Sequence, residues 1–197
     1  MYTPNAFTFD DADAIESFIA ENLFAELISN GPQGLLVNHI PLARVESGSL
    51  CGHLAAANPQ AEIPDRTPVV AVFRGPHAYV SPNDFVSEFN VPTWNYASVH
   101  CYGTIRFITD SELAWQRLGE LVVLQEGNEG WQLPDEPRFR SLLQAIRLFE
   151  ITEPRFEGKA KFSQNKSSED IESVIEALEV RGEQSTAAFM KKFSRSP

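Results

Sequence analysis

The sequence predicts a mainly β protein, a closed and mostly antiparallel barrel with peripheral helices. Between Leu23 and Phe107 short apolar runs follow one another with turn residues between them and little helix, whereas a parallel doubly wound sheet needs a helix after nearly every strand. Thr93 to Phe107 alternates at the two-residue period of a strand over its whole length. Helical patterns gather near the two ends and in a few connections, which suits a barrel dressed with helices.

In chain order, Asp10 to Asn22 reads as a helix, with Asp10 or Asp11 as its cap and Ile15, Phe18 and Ile19 as one apolar stripe. Strands over Leu23–Ser29 and Leu35–Val45 flank Asn30-Gly31-Pro32-Gln33-Gly34, a hairpin turn whose glycines supply positive φ. A third strand is Ser49 to Leu54; Asn58-Pro59 starts an irregular connection, and Val69 to Phe73 reads as a strand buried on both sides. Gly75-Pro76 bends the chain before Ala78 to Val80 resumes. After the two-faced strand, Thr109-Asp110-Ser111-Glu112 opens a helix in which Leu118, Leu121, Val122 and Gln125 share a face. Gly127 to Pro137 is a loop, Phe139 to Ile146 is helical, and a strand passes near Phe149. Phe156 to Ser163 is a last strand, Ser167 to Asp170 caps an amphipathic helix, and a second helix runs from Gln184 to Phe193.

The 197 residues, 43% hydrophobic with 14 Phe, suffice for one core without staples. Cys51 and Cys101 match no zinc or redox spacing, so buried free thiols in a reducing compartment are expected. Met1 to Asn5 has neither a basic start nor an apolar core segment, and no apolar run reaches the ~18 residues of a membrane span, so the expectation is a cytoplasmic protein without a membrane segment. A net charge of −11 repels polyanions, so nucleic-acid binding would need a basic patch acting against the global field.

The strand from Thr93 to Phe107 separates into two faces. Ala97, Val99, Cys101, Ile105 and Phe107 form an ordinary core side, while Trp94, Tyr96, Ser98, His100, Tyr102, Thr104 and Arg106 point the other way. Large aromatics interleaved with hydrogen-bonding groups are not what a wet sheet face carries; a flat ligand or another subunit should cover them. His39, His53, His77 and His100 all fall on or beside strands, in spacings that match no compact metal motif, so no metal site is expected. They read either as satisfied structural histidines or as the lining of a cavity for a polar aromatic ligand. The glycine-rich phosphate motifs and GxSxG are missing. Arg155, Lys159, Lys161 and Lys166 concentrate cations in an acidic chain, beside Ser163-Gln164-Asn165. They read as a phosphate-binding cluster or as a solvated edge strand. No catalytic residue stands out.

Runs in order along the chain resemble the PaiB family of FMN-binding-type split-barrel proteins, described as negative transcriptional regulators. They are Met1-Tyr2-Thr3-Pro4, Asn38-His39-Ile40-Pro41, Gly52 to Gln60 (GHLAAANPQ), Phe73 to Pro82 (FRGPHAYVSP), Val91 to Tyr96 (VPTWNY) and Lys161 to Asn165 (KFSQN). The resemblance implies a split β-barrel of the FMN-binding type, one domain over residues 1–197 with a C-terminal helical extension from about residue 167. It also implies homodimers with FMN at the subunit interface. The cofactor-binding residues it suggests are Asn38, His39, His53, Asn58, Trp94, Asn95, Tyr96 and His100, with Lys161, Ser163 and Gln164 toward the phosphate or polar chain. The arginines and lysines that related oxidases place along the corresponding strand pair are replaced here by Asn, His and Ala. Three functions follow as expectations: an FMN flavoprotein, an oxidoreductase with an indirect effect on transcription; a cofactor-free regulator acting through DNA or a partner protein; and a haem-binding split barrel.

Overall fold

The computed structural model describes residues 1–194, so the last residues of the expected domain span, 195–197, lie outside the described residues. Eight strands form one sheet: β1 (Thr8–Phe9), β2 (Phe24–Gly31), β3 (Gly34–Pro41), β4 (Ala43–Arg44), β5 (Leu50–Ala55), β6 (Pro68–Val80), β7 (Thr93–Phe107) and β8 (Ile146–Lys161). Five helices accompany them: α1 (Ala12–Glu21), α2 (Ser111–Glu126), α3 (Pro137–Arg140), α4 (Ser168–Val180) and α5 (Gln184–Ser194). The hydrogen-bonded order is β3-β2-β6-β7-β8-β5-β4, with β1 on β8. This path does not return to its start, so the sheet is split rather than the closed barrel that strand succession alone suggested.

Two strands are longer than the sequence implied. Along β6 the buried residues are Val69, Ala71 and Phe73, then Ala78 and Val80, so the inward parity slips by one across Gly75-Pro76. That slip marks a bulge. The bend expected there is therefore a re-aimed strand, and Pro76, which has no N–H, lies beyond the β2 ladder that ends at Val72. In β8 the inward residues are Phe149 and Ile151, then Gly158 and Ala160, with Glu153 between them at φ 53. The two strands expected near Phe149 and over Phe156–Ser163 are one, because a residue in the left-handed region absorbs the change of parity.

The contacts divide the chain into two compact units, one of Met1–Ile15, Arg74–Val99 and 157 onward, the other of Glu16–Phe73 and His100–Phe156. In the second unit, β2 and β3 make a hairpin in which Gly31 pairs with Gly34 around Pro32-Gln33. Gly34 takes φ 121, which a side chain resists. Leu27, Ala71, Phe73, Leu50, Phe149 and Ile151 are fully buried. A side chain at Gly103 would stand 2.7 Å from Thr152 O, so β7 needs glycine where it approaches β8. α2 starts where Asp110 accepts from Leu113 N at 2.8 Å. It buries Ala114 and Arg117, the latter bonded to Glu150 and Glu120, while Leu118, Leu121 and Val122 stay half-buried and Gln125 is exposed.

In the first unit, Ser167 caps α4, whose Val174, Ile175 and Leu178 are buried. Asp170 accepts from Val86 N, Ser87 N and Ser87 Oγ, and these bonds hold its carboxyl below the usual carboxylate range. Phe162, Phe189 and Phe193 form a ring cluster, with Phe9 edge-on to Phe193 at 5.5 Å. No described helix is long and apolar enough to cross a membrane.

Gln60, in the 3₁₀ turn Pro59–Glu62, is completely buried and holds that turn to β2 by donating to Ser29 Oγ at 2.9 Å and Leu27 O at 3.2 Å. Gln60→Ala removes the side chain and leaves those buried partners unmatched, which should cost about 2–4 kcal/mol. Urea unfolding followed by circular dichroism checks this; a loss below about 1 kcal/mol would show that water replaces the amide.

Candidate functional site

The residues singled out in the sequence fall into two sets, one in each compact unit. In the second unit, Asn38 on β3 and Asn58, which caps the 3₁₀ turn, are joined directly: Asn58 Nδ2 donates to Asn38 Oδ1 at 3.0 Å. Asn38 Nδ2 donates to Gln60 Oε1 at 2.7 Å, and Asn58 Oδ1 accepts from Gln60 N at 2.9 Å. The amides of Asn38, Asn58 and Gln60 thus form a latch whose members satisfy one another. Its inner end at Gln60 and Ser29 is a part that sequence reading missed; Asn58-Pro59 marks the start of a connection but shows neither the cap nor the tertiary partner.

His39 is exposed and pairs across the strands with Glu26, its Nε2 3.5 Å from Glu26 Oε1, with the Phe24 ring stacked beside it at 6.2 Å. His53 on β5 differs. Its Nδ1 is buried and makes no hydrogen bond within the described residues, and burial pushes the imidazole below its ordinary value. It is therefore neutral at pH 7, with an unanswered polar atom. His100 Nδ1 lies 3.4 Å from Tyr102 Oη, and the Arg155 guanidinium sits 4.5 Å from the centroid of the Tyr102 ring.

In the first unit Trp94 is 55% exposed at the start of β7, as its outward parity predicts. Its ring stands 6.0 Å from Tyr79 and 6.3 Å from His77, both on the outward side of β6. His77 is among the four histidines read in the sequence as possible cavity lining, whereas Tyr79 is not singled out there; its signal is the alternation His77, Ala78, Tyr79, Val80, legible once the slip at Gly75-Pro76 is known. Asn95 has the opposite parity and is completely buried, exchanging hydrogen bonds with Ser163 and donating to Met190 Sδ. Gln164 folds back on its own strand end, accepting from Phe162 N at 2.7 Å and donating to Ala160 O at 2.6 Å.

The cations separate. Lys161 Nζ donates to Trp94 O at 2.7 Å and to Thr93 Oγ1, and burial, with the nearby Lys159 charge, pushes it below the ordinary lysine value. Lys159 lies between the Tyr96 and Tyr2 rings at 5.5 and 5.8 Å. Lys166 is bonded to Asn90 at 2.6 Å, and Arg155 belongs to the other unit. Cys51 and Cys101 are free and buried, and burial pushes both thiols up to about 12, so they are unreactive at neutral pH. Among the described residues no group of three or more His, Cys, Asp or Glu is placed to hold a metal ion.

A split antiparallel sheet with an outward aromatic cluster defines the class, and comparison with known proteins agrees. The chain belongs to the family described as "Putative FMN-binding domain", whose model matches residues 1–153. It is 32% identical over 190 residues to the protease synthase and sporulation protein PAI 2 of Bacillus subtilis, covering 91% of this chain and 89% of that one. This bears out the PaiB resemblance. Among solved structures it is similar to the FAD and heme binding protein from Mycobacterium smegmatis, with a TM-score of 0.63, 14% identity and coverage of 84% and 79% of the two chains. The flavocytochrome Anf3 from Azotobacter vinelandii gives a TM-score of 0.64 at 14% identity, covering 79% of this chain and 69% of that one. These likenesses establish the split-barrel fold.

His53 gives a pH prediction. Its folded value lies below the ordinary 6.5, so the unfolded chain binds the extra proton. The stability that neutral His53 contributes is complete above about pH 6.5 and is lost as pH falls toward the folded value. Between about pH 7.5 and pH 5 the wild type should lose more stability than His53→Gln, in which nothing titrates at this position. Urea midpoints at the two pH values measure it, and equal losses would mean that the imidazole is solvated.

Proposed function

We propose that this protein is a homodimeric flavin-binding protein that holds FMN and acts as an oxidoreductase, with any effect on transcription indirect. The observation that carries the reading is the exposed ring cluster of Trp94, Tyr79 and His77, three aromatic rings inclined to one another, of which the half-exposed Trp94 ring offers a face for an isoalloxazine to stack on. Family membership supports the same ligand class. The residues fit FMN in a second respect. An ammonium has three donors, and Lys161 commits two of them to Thr93 and Trp94, leaving one beside the Trp94 backbone. A phosphate there would relieve the close approach of the Lys159 and Lys161 charges. Bound flavin would supply the electron transfer, while the chain positions the ring and sets its hydrogen-bonding surroundings. A net charge of −11 opposes a duplex, so direct DNA binding is left out of the proposal. The buried thiols suit a reducing, cytoplasmic setting.

The dimer reading rests on the outward side of β2, β3 and β6 in the second unit. Val37, Ile28 and Val70 lie in one row across the three strands, flanked by Leu35 and Phe24, which are 71% and 67% exposed. An apolar sheet face of this kind is what association covers.

Titrations of purified protein with FMN and with riboflavin, read from the flavin band, test the cofactor reading. Trp94→Ala should weaken both flavins by about fivefold, the value of one aromatic contact, with the circular dichroism unchanged. Lys161→Ala should weaken FMN more than riboflavin, which has no phosphate. Wild-type protein that binds neither flavin would end the proposal.

Light scattering tests the dimer. The wild type should give twice the 22.0 kDa chain mass at micromolar concentration, and Val37→Glu should shift it toward the monomer without loss of fold. A wild-type monomer would remove this reading.

A further inference from the structure

At the tip of the β2–β3 hairpin, within the second unit, lies a cavity of about 610 Å³ that shares no residue with the Trp94 cluster. Its wall is apolar: Leu36, Ile63 and the rings of Pro32, Pro59 and Pro64. This size and lining are those of small-molecule pockets. Four polar side chains also line it, Glu62, Asn30, Gln33 and Thr67, the last already donating to Pro64 O at 2.6 Å. Glu62 is the one charged residue among those lining it, and among the described residues its carboxylate makes no ion pair.

The cavity is preformed rather than a gap between loose loops. One wall, the 3₁₀ turn, is fixed by the Asn58 cap and by Gln60, whose side chain reaches into β2. The opposite wall is the two-residue hairpin turn. A third side, Pro64 to Thr67, is held to β7 by Arg66 N on Ile105 O at 2.8 Å and Ile105 N on Thr67 O at 3.0 Å. A Cβ at Gly31 would stand 2.6 Å from Leu36 Cδ1, so the placement of that lining side chain depends on glycine there.

We infer that this cavity binds a small organic amine, an apolar ring system carrying one protonated amino group. The ring would lie against Leu36, Ile63 and the prolines. The ammonium would pair with Glu62, with Asn30 and Gln33 accepting its remaining hydrogens. Charge complementarity selects a cation over a neutral or anionic ligand, because the one charged lining residue is Glu62, the exposed Asp65 and Arg66 of the neighbouring segment offset each other, and the whole chain carries −11.

Three probes with one ring and three charges test it on the full chain: tryptamine, tryptophol and indole-3-acetate, by calorimetry and by NMR shifts. Tryptamine should saturate one site per chain, bind roughly fivefold tighter than tryptophol, and leave indole-3-acetate weakest. Shifts should centre on the Asn30 and Gln33 side-chain amides and the Ile63 methyls. Glu62→Gln, a change at an exposed position, should bring tryptamine down to the tryptophol level. Gly31→Ala should weaken all three probes together. Binding of tryptamine should be unchanged by saturating FMN. No saturable binding, affinities independent of probe charge, no response to Glu62→Gln, or competition with FMN would each overturn the inference.

Discussion

The two-residue period of a β-strand allows one inward face, and a strand can change that face only by taking up an extra residue. β7 keeps its alternation for all 15 residues, whereas β6 and β8, its neighbours in the sheet, each slip once. The outward placement of His77, Tyr79, Lys159 and Lys161 in the first unit depends on those slips. Without the slip at Gly75-Pro76, the parity of Val69, Ala71 and Phe73 would carry His77 and Tyr79 into the core. Without the slip at Glu153, the parity of Phe149 and Ile151 would do the same to Lys159 and Lys161. A left-handed non-glycine residue costs on the order of 1–3 kcal/mol, so Glu153 persists because packing on both sides of it over-determines its conformation.

Buried polar groups in this protein follow one rule with one exception. Asn95 enters the core because Ser163 and Met190 meet its amide, and Asn38, Asn58, Gln60 and Ser29 close a chain of mutual bonds. Such networks are stable when every member is matched. His53 Nδ1 is the unmatched buried side-chain atom among the described residues, in a strand whose Leu50, Cys51, Gly52 and Leu54 are buried. The desolvation that keeps this imidazole neutral also leaves it able to donate or accept, which is the state in which a histidine can answer a ligand or an ordered water.

Surface charge is organised locally rather than as a field. The cations that cluster in the sequence between Arg155 and Lys166 are drawn to different neighbours: a Tyr102 ring, the Tyr2 and Tyr96 rings, the Trp94 backbone and Asn90. Each long side chain uses its stem and head against aromatic or backbone groups. Lys161 alone among the three lysines commits two of its three donors, to the Thr93 side chain and the Trp94 backbone, while among the described residues Lys159 and Lys166 each make one hydrogen bond.

The sequence by itself determined the β-rich class, the helix positions, the two faces of β7, the burial of both cysteines and the family. Periodicity and capping are local and are written in consecutive residues. It also placed Trp94 on the outward face and the start of a connection at Asn58-Pro59. The split barrel followed from the resemblance, not from strand succession; only the tertiary structure decided the order of the strands, that Phe149 and Phe156 share one strand, and that Asn95, Ser163 and Gln164 are bonded within the chain. It alone brought His77 and Tyr79 to Trp94, Gln60 to Ser29, and the hairpin tip to Glu62. The reason is physical. A bulge moves every later side chain to the other face at the expense of a single residue, and a hydrogen-bond partner dozens of positions away has no local signature.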